Sequence, residues 1–249
     1  VIIMFIEVFL TYLFLLISIR KSIITYSLSS NFFSLNKEFF KVIFKNSFYV
    51  FLYGLGVNLF YKIDIIMIQR YLTENDLGNY SASYKVISFL TFLPIIAANT
   101  FYPRIIKTIN YDDQILKKMY FLSFWISAIV FSFIFLSGSY IINYLYGDNF
   151  PMALDVFKIS SITLVIIGLN GTYNKVIIKN ELNHLLLIKS FFGIFLCITL
   201  NIILIPNYGI IGVSYATVLS LFLSDIILDF FIKDLRKHHI LKLKSILYF

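Results

Sequence analysis

Eight ionisable side chains sit inside stretches that are otherwise almost wholly apolar: Glu7, Lys62, Asp64, Lys85, Asp155, Lys158, Asp225 and Asp229. In hydrocarbon each would cost about 2.5 kcal/mol or more unless it faced an aqueous cavity or a partner, so they are the first candidates for function. Lys62 lies eight residues from Arg70, Lys85 six from Asn79 and Lys158 seven from Pro151. At about 1.5 Å per residue these separations place the three amines in one layer, roughly 9 to 12 Å below one membrane boundary. The chemistry open to such a layer is capture of an anionic head group in an aqueous cavity. Asp64 shares the depth but lies about 200° around its helix from Lys62, whereas Asp155 and Lys158, three apart, share a face. The alternative is structural: Asp64 with Lys85, and Asp155 with Lys158, as neutralising pairs that fix helix packing. Asp225 and Asp229 read as a solvated helix end, and Lys175 and Lys189, near helix ends, as snorkelling cations. Glu7 receives no role.

Other chemistries find no residues to carry them. Cys197 is the one cysteine and permits no internal disulfide, and His184, His238 and His239 have no metal-ligand spacing. There is no Gly-rich phosphate loop and no nucleophile constellation, so no catalytic residue, metal or cofactor is expected. The 249 residues are 59% hydrophobic and 14% charged, too little polar surface to cover a soluble core. The net charge of +8 is scattered between apolar runs and forms no basic face, which argues against nucleic acid as a partner.

The elements that must position the charges are long helices. Runs of about 20 apolar residues, the length needed to cross hydrocarbon, predict seven spans: 1–19, 47–69, 80–102, 119–146, 153–178, 185–205 and 210–232. Strand-like alternation is absent, so the fold class is an all-α integral membrane protein. The chain opens at Val1 inside an apolar run with no basic region or cleavage site before it, which reads as a piece of a longer protein. Seventeen of the 21 Lys and Arg cluster on or near alternate connections, at 20–46, 103–118, 179–184 and 233–249, and only Arg70 lies on the others. The positive-inside rule places the basic set, including the 20–45 linker and the 233–249 tail, in the cytoplasm. Pro94, in the middle of the third span, predicts a kink, either fixed or a working hinge. Asp148 and Asn149 before Pro151 predict a helix start with Pro in the first turn, and Pro206, Asn207 and Gly209 an outer turn. Gly168, Asn170, Gly171 and Asn174 predict close helix packing in preference to local unwinding.

Three stretches carry a resemblance. YKIDIIMIQRYLTENDLGNYSASYKVISFLTFLPIIAANTFYPRI, residues 61–105, combines an Asp-bearing helix, a short loop, a Gly78-Asn79-Tyr80-Ser81-Ala82-Ser83 helix start and Leu93-Pro94. LYGDNF (145–150) and LIPNYGIIGVSYATVLS (204–220) follow in order at membrane-consistent places. Together they resemble the second half of bacterial polysaccharide and O-antigen flippases, a branch of the multidrug, oligosaccharidyl-lipid and polysaccharide flippase superfamily. The resemblance implies about twelve helices in two six-helix lobes around a central cavity. This chain would hold the last helix of the first lobe (1–19), a basic cytoplasmic linker (20–45), the six-helix second lobe (46–232) and a basic cytoplasmic tail (233–249).

The resemblance also implies a multi-pass protein of the bacterial inner membrane, not an enzyme, that moves a polyprenyl-pyrophosphate-linked oligosaccharide outward by alternating access. Its partners would be the lipid-linked oligosaccharide, membrane lipid, the N-terminal lobe of the same protein and the polysaccharide polymerase machinery. On this reading Lys62, Lys85 and Lys158 bind the diphosphate, Asp64 and Asp155 couple an ion or pair charge, and Pro94 is the kink. Two alternatives stay open: a cation-coupled multidrug exporter of the related fold, which would favour acidic over basic cavity residues, and a membrane scaffold with its charges all paired.

Overall fold

The structure, a computed structural model, describes residues 37–107 and 113–247; the expected first span and most of the linker lie outside the described residues. The chain divides into two compact units, Val1–Lys45 and Asn46–Phe249. Among the described residues there is helix and no strand. In chain order the helices are α1 (Lys37–Tyr71), α2 (Glu74–Leu90), α3 (Phe92–Lys107), α4 (Asp113–Tyr146), α5 (Ala153–Lys179) and α6 (Asn183–Phe222). A five-residue π-helical segment, Leu223–Ile227, leads into the short α7 (Leu228–Phe231), and α8 (Lys233–Ser245) follows.

The observed spans depart from the expected ones for local reasons. Helix α1 starts at Lys37, so the end of the expected linker is already helical. Helix α2 starts at Glu74, six residues before Tyr80, because Thr73 and Asp76 form a capping box: the Asp76 N–H donates to Thr73 Oγ1 and the Thr73 N–H to Asp76 Oδ2. The third span breaks at Thr91, with Pro94 in the first turn of α3; lacking an N–H, Pro94 cannot serve the carbonyl four residues back, and the helix restarts there. Pro151 does not enter the first turn of α5. A 3-10 turn at Gly147–Asn149 precedes it, and the Met152 N–H donates to the side chain of Asn79 on α2 at 3.0 Å, a cap supplied by another helix.

The last two expected spans are the arms of α6, which reverses at Gly209 (φ 54°, ψ −134°). That positive φ suits glycine, and a Cβ on Gly212 would meet the Leu204 carbonyl at 2.5 Å. The arms run back to back, with Gly193 against Ser224 and Lys189 against Asp225. Five helical segments are long and apolar enough to cross a membrane, Asn183–Phe231 being one of them; counted as two arms, it makes six described crossings.

Helix α5 is the centre of the bundle and packs on α2, α3, α4, α6 and α8. Its approach to α4 is close because both surfaces carry small residues: a Cβ on Gly168 would fall 1.7 Å from Ser127 Oγ, and Ser123 Oγ donates to the Gly168 carbonyl at 3.0 Å and meets Thr172 Oγ1 at 2.8 Å. The expected close packing is observed, without unwinding. Ile129, Phe133, Leu136 and Tyr140, spaced 4, 3 and 4, form an exposed apolar stripe on the other side of α4, the face a bilayer requires.

Gly168→Ala should therefore destabilise the bundle by about 1 to 3 kcal/mol through overpacking, while Gly54→Ala, with nothing within 4 Å of the added Cβ, should be neutral or slightly stabilising. Thermal unfolding of the purified protein in detergent measures both, and equal losses at the two sites would contradict the packing described.

Candidate functional site

A cavity of about 360 Å³ opens between α1, α2, α3, α5 and α6. Aromatic rings from α1 and α2, Tyr53, Tyr61 and Tyr84, line it together with small polar groups such as Thr91, Asn99 and Asn174. Two charged clusters border it: Asp64 in one wall, and Lys189 with Asp225 further along α6 and its continuation.

Asp64 is placed by the α1 face made of Phe60, Ile63, Met67 and Ile68, all buried, which fixes the carboxylate in the middle of a packed stripe. Four donors, from α2 and from both arms of α6, converge on it. Tyr80 Oη of α2 donates at 2.7 Å and Thr217 Oγ1 at 2.6 Å; Asn201 Nδ2 and Cys197 Sγ, one turn apart on α6, donate at 3.2 and 3.3 Å. The hairpin at Gly209 is what brings Asn201 and Thr217 to one carboxylate, because it lays the two arms of α6 side by side. No lysine, arginine or histidine forms an ion pair with Asp64 among the described residues. Asn201 Oδ1 is buried beside the carboxylate with no hydrogen-bond partner. Turning the amide over would aim its oxygen at the carboxylate, so the orientation with Nδ2 donating is the one the neighbours support.

The second cluster centres on Asp229, fully buried at the end of the bundle where α8 docks. Lys189 Nζ lies 2.9 Å from Asp229 Oδ1 and 3.3 Å from Asp225 Oδ1. From α8, Lys242 Nζ and His239 Nδ1 each lie 3.4 Å from Asp229 Oδ2. Lys242 also donates to Asn170 Oδ1 at 2.8 Å and to the Asp225 carbonyl at 3.4 Å, and both lysines sit over the Tyr173 ring, at 4.1 Å (Lys242) and 5.3 Å (Lys189). Burial pulls the Lys242 amine down to about 7, against the pull of Asp229, and draws the His239 imidazole below its ordinary value.

These positions differ from the expected ones. Of the residues singled out in the sequence, Asp64 alone among Lys62, Lys85, Lys158, Asp64 and Asp155 lines the cavity. Lys62 and Lys85 are exposed and Lys158 half-buried, so the structure does not gather the three amines around one cavity. Neither neutralising pair forms: Asp64 is not joined to Lys85, nor Asp155 to Lys158. Asp155 is exposed in the first turn of α5, where a negative charge favours the helix N-terminus. Asp225 and Asp229 are not a solvated helix end, and Lys189 does not snorkel: it is 2% exposed and bound to both carboxylates. The expected tail is helix α8, with Leu235, His239, Lys242 and Ser245 buried against the bundle.

Thr217→Val should lower stability by about 1.5 to 3 kcal/mol, because it removes a short bond to a buried carboxylate. Thr199→Val, which loses a bond to its own helix at an exposed position, should cost less than about 0.5 kcal/mol. Equal shifts of the unfolding midpoint for the two variants would count against the Asp64 cage.

Residues 1–109 match the family model described as polysaccharide biosynthesis protein. No curated protein matches the chain in sequence. Among solved structures the chain is similar to the outward-facing conformation of a multidrug resistance MATE family transporter of the MOP superfamily, with a TM-score of 0.65, 16% identity, and coverage of 77% of this chain and 44% of that one. It is also similar to a MOP superfamily transporter from Pyrococcus furiosus Vc1 (DSM3638), described as having a binding pocket of reverse polarity that suggests a different function, with a TM-score of 0.63, 16% identity, and coverage of 83% and 52%. The chain thus spans about half the length of the solved transporters it matches. The fold is that of MOP superfamily transporters, and with the match over residues 1–109 it supports the resemblance read from the sequence, a membrane protein of the polysaccharide flippase type.

Proposed function

We propose that this chain is one lobe of a flippase that moves a polyprenyl-pyrophosphate-linked oligosaccharide across the bacterial cytoplasmic membrane by alternating access, without enzymatic chemistry. The observation that carries the reading is the polysaccharide biosynthesis match on a transporter fold that encloses a cavity. Tyrosine rings with interspersed hydroxyl and amide groups suit sugar faces and their hydroxyls. Lys62, Lys85 and Lys158 are proposed to draw in the diphosphate, a role supported by their shared depth along the helices and not by a common cavity wall. The basic connections, α8 included, are proposed to face the cytoplasm, and the polymerase machinery to act on the exported product.

Asp64 is proposed as the coupling residue. A buried carboxylate held by neutral donors alone, beside an amide oxygen without a partner, is suited to a proton or a small cation that arrives and leaves. The same observation favours a second reading, a cation-coupled exporter of drugs. Export assays in a flippase-deficient strain separate the two: the full-length protein should restore surface polysaccharide, and drug resistance without polysaccharide would select the exporter.

Asp64→Asn should reduce export at least tenfold at matched membrane expression, since it keeps the shape of the cage but not its charge. Lys85→Ala and Lys158→Ala should each reduce export without affecting insertion, and unchanged export in both would remove the lysines from the mechanism. Orientation is read by labelling cysteines introduced at the exposed positions Asn75 and Lys237. An impermeant maleimide added to intact cells should modify position 75 and spare position 237, and the reverse pattern would invert the topology.

A further inference from the structure

We propose that the outward face of helix α8 binds anionic phospholipid head groups and so seats this end of the bundle on the membrane surface. This goes beyond any transported substrate, because it concerns the lipid around the protein and not the cargo inside it. Wound at 3.6 residues per turn, Lys233, Arg236, Lys237, Ile240, Lys244 and Leu247 fall within one arc of about 100°, and all six are exposed. The opposite side holds Leu235, His239, Lys242 and Ser245, all buried against the bundle. Four cations and two aliphatic side chains thus share a face that carries no acid; Asp234, the one acidic residue of α8, lies at its flank, about 60° beyond Lys237. Among the described residues none of the four cations joins an ion pair. Arg236 is held near the turn into the helix, where its Nε donates to the Phe230 carbonyl at 2.8 Å.

The level of the helix and its fixed rotation point to lipid as the occupant. Leu235 packs in one cluster with Leu116, Val176 and Leu185. Each of these lies within three residues of a helix end, at the start of α4, the end of α5 and the start of α6, so α8 begins within about 5 Å of where those helices end. Asp113, Lys117 and Lys118 open α4 and Lys179 closes α5, charges that mark this level as the membrane boundary. The face cannot roll inward, because Lys242 and His239 are held at Asp229 and the Tyr173 hydroxyl donates to the Leu235 carbonyl. Hydrocarbon alone would reject the four cations, and water alone would gain nothing from Ile240, Leu247 and the adjoining exposed Phe231. The boundary between head groups and acyl chains accepts both kinds of group. Each basic residue near an anionic leaflet strengthens its attraction by about fivefold, so four on one arc discriminate clearly between anionic and zwitterionic lipid.

The test places a fluorophore on Ile240→Cys, at the centre of the face, in the full-length protein with Cys197→Ser and no other cysteine. In phosphatidylcholine vesicles, quenching by doxyl-labelled phosphatidylglycerol is compared with quenching by doxyl-labelled phosphatidylcholine at equal mole fraction. Both leaflets carry the quencher, so the outcome does not depend on which way the protein is inserted. At low salt the anionic lipid should quench at least about threefold more effectively, and the advantage should shrink as salt rises. The same fluorophore on Leu136→Cys, in the apolar stripe of α4, should show no preference. Lys233→Gln, Arg236→Gln, Lys237→Gln and Lys244→Gln together should abolish the advantage at position 240, and the salt series on the unsubstituted face decides the matter should that variant fail to fold. Equal quenching by the two lipids at low salt, or a preference that persists undiminished in high salt or in the quadruple variant, overturns the proposal. So does the absence of quenching by either lipid, which would mean that water or an acidic protein partner covers the face.

Discussion

A charge withdrawn into a bundle that lipid surrounds has no water to return to, and that constraint organises this protein more than any packing preference. Hydrocarbon satisfies neither a carboxylate nor a backbone carbonyl, so each buried polar group must find its partner within the chain. The close approach of α4 and α5 is one answer. Gly168 gives up its side chain so that Ser123 can reach its carbonyl, and Thr172 meets the same hydroxyl, so the small-residue contact and the hydrogen bonds form together. The joint between α2 and α5 is another: Asn79 accepts from the Met152 N–H, and Ser83 donates to the Ala153 carbonyl. The motif that resembled a flippase helix start thus has a structural meaning, with Tyr80 of the same motif held on Asp64.

The two carboxylate clusters answer the constraint in different ways. Asp229 is met by cations, so its neighbourhood is close to neutral without help from outside. Among the described residues Asp64 is met only by hydroxyl, amide and thiol groups, which solvate a charge without cancelling it. Solvation without neutralisation in a low-dielectric site leaves a field that attracts a mobile positive charge. That asymmetry is what the coupling role proposed for Asp64 rests on, and Asp229 by contrast holds helices together.

Much of the fold could be read from hydropathy, because crossing a bilayer imposes a length and composition that few other structures need. Span positions from residue 47 onward, the turn at Gly209 and the close packing at Gly168 follow from that rule and from the chemistry of glycine and proline. The sites were less legible. Depth along a helix is set by residue count, but facing is set by neighbours, so three lysines at one depth need not share a cavity. The α1 sequence did contain the deciding signal: Phe60, Ile63, Met67 and Ile68 recur at helical spacing around Asp64, which puts Asp64 inside and Lys62 outside. The Asp229 cluster had no comparable signal, since its members are drawn from residues 170 to 242 and meet only after the α6 reversal and the turn at Ile232.

Interruptions of regular helix help to set the surroundings of both buried carboxylates. The π-helical segment Leu223–Ile227 changes the hydrogen-bonding register just before α7, and the Asp225 carbonyl within it accepts from Lys242. The same segment turns the Asp225 carboxylate toward Lys189, while Asp229, four residues on, lies on the same side. The break at Gly209 plays the matching role for Asp64 by superposing Asn201 and Thr217. The π-helical segment thus sets an acceptor carbonyl beside a buried ammonium group, whereas the break at Gly209 brings two donors to a buried carboxylate.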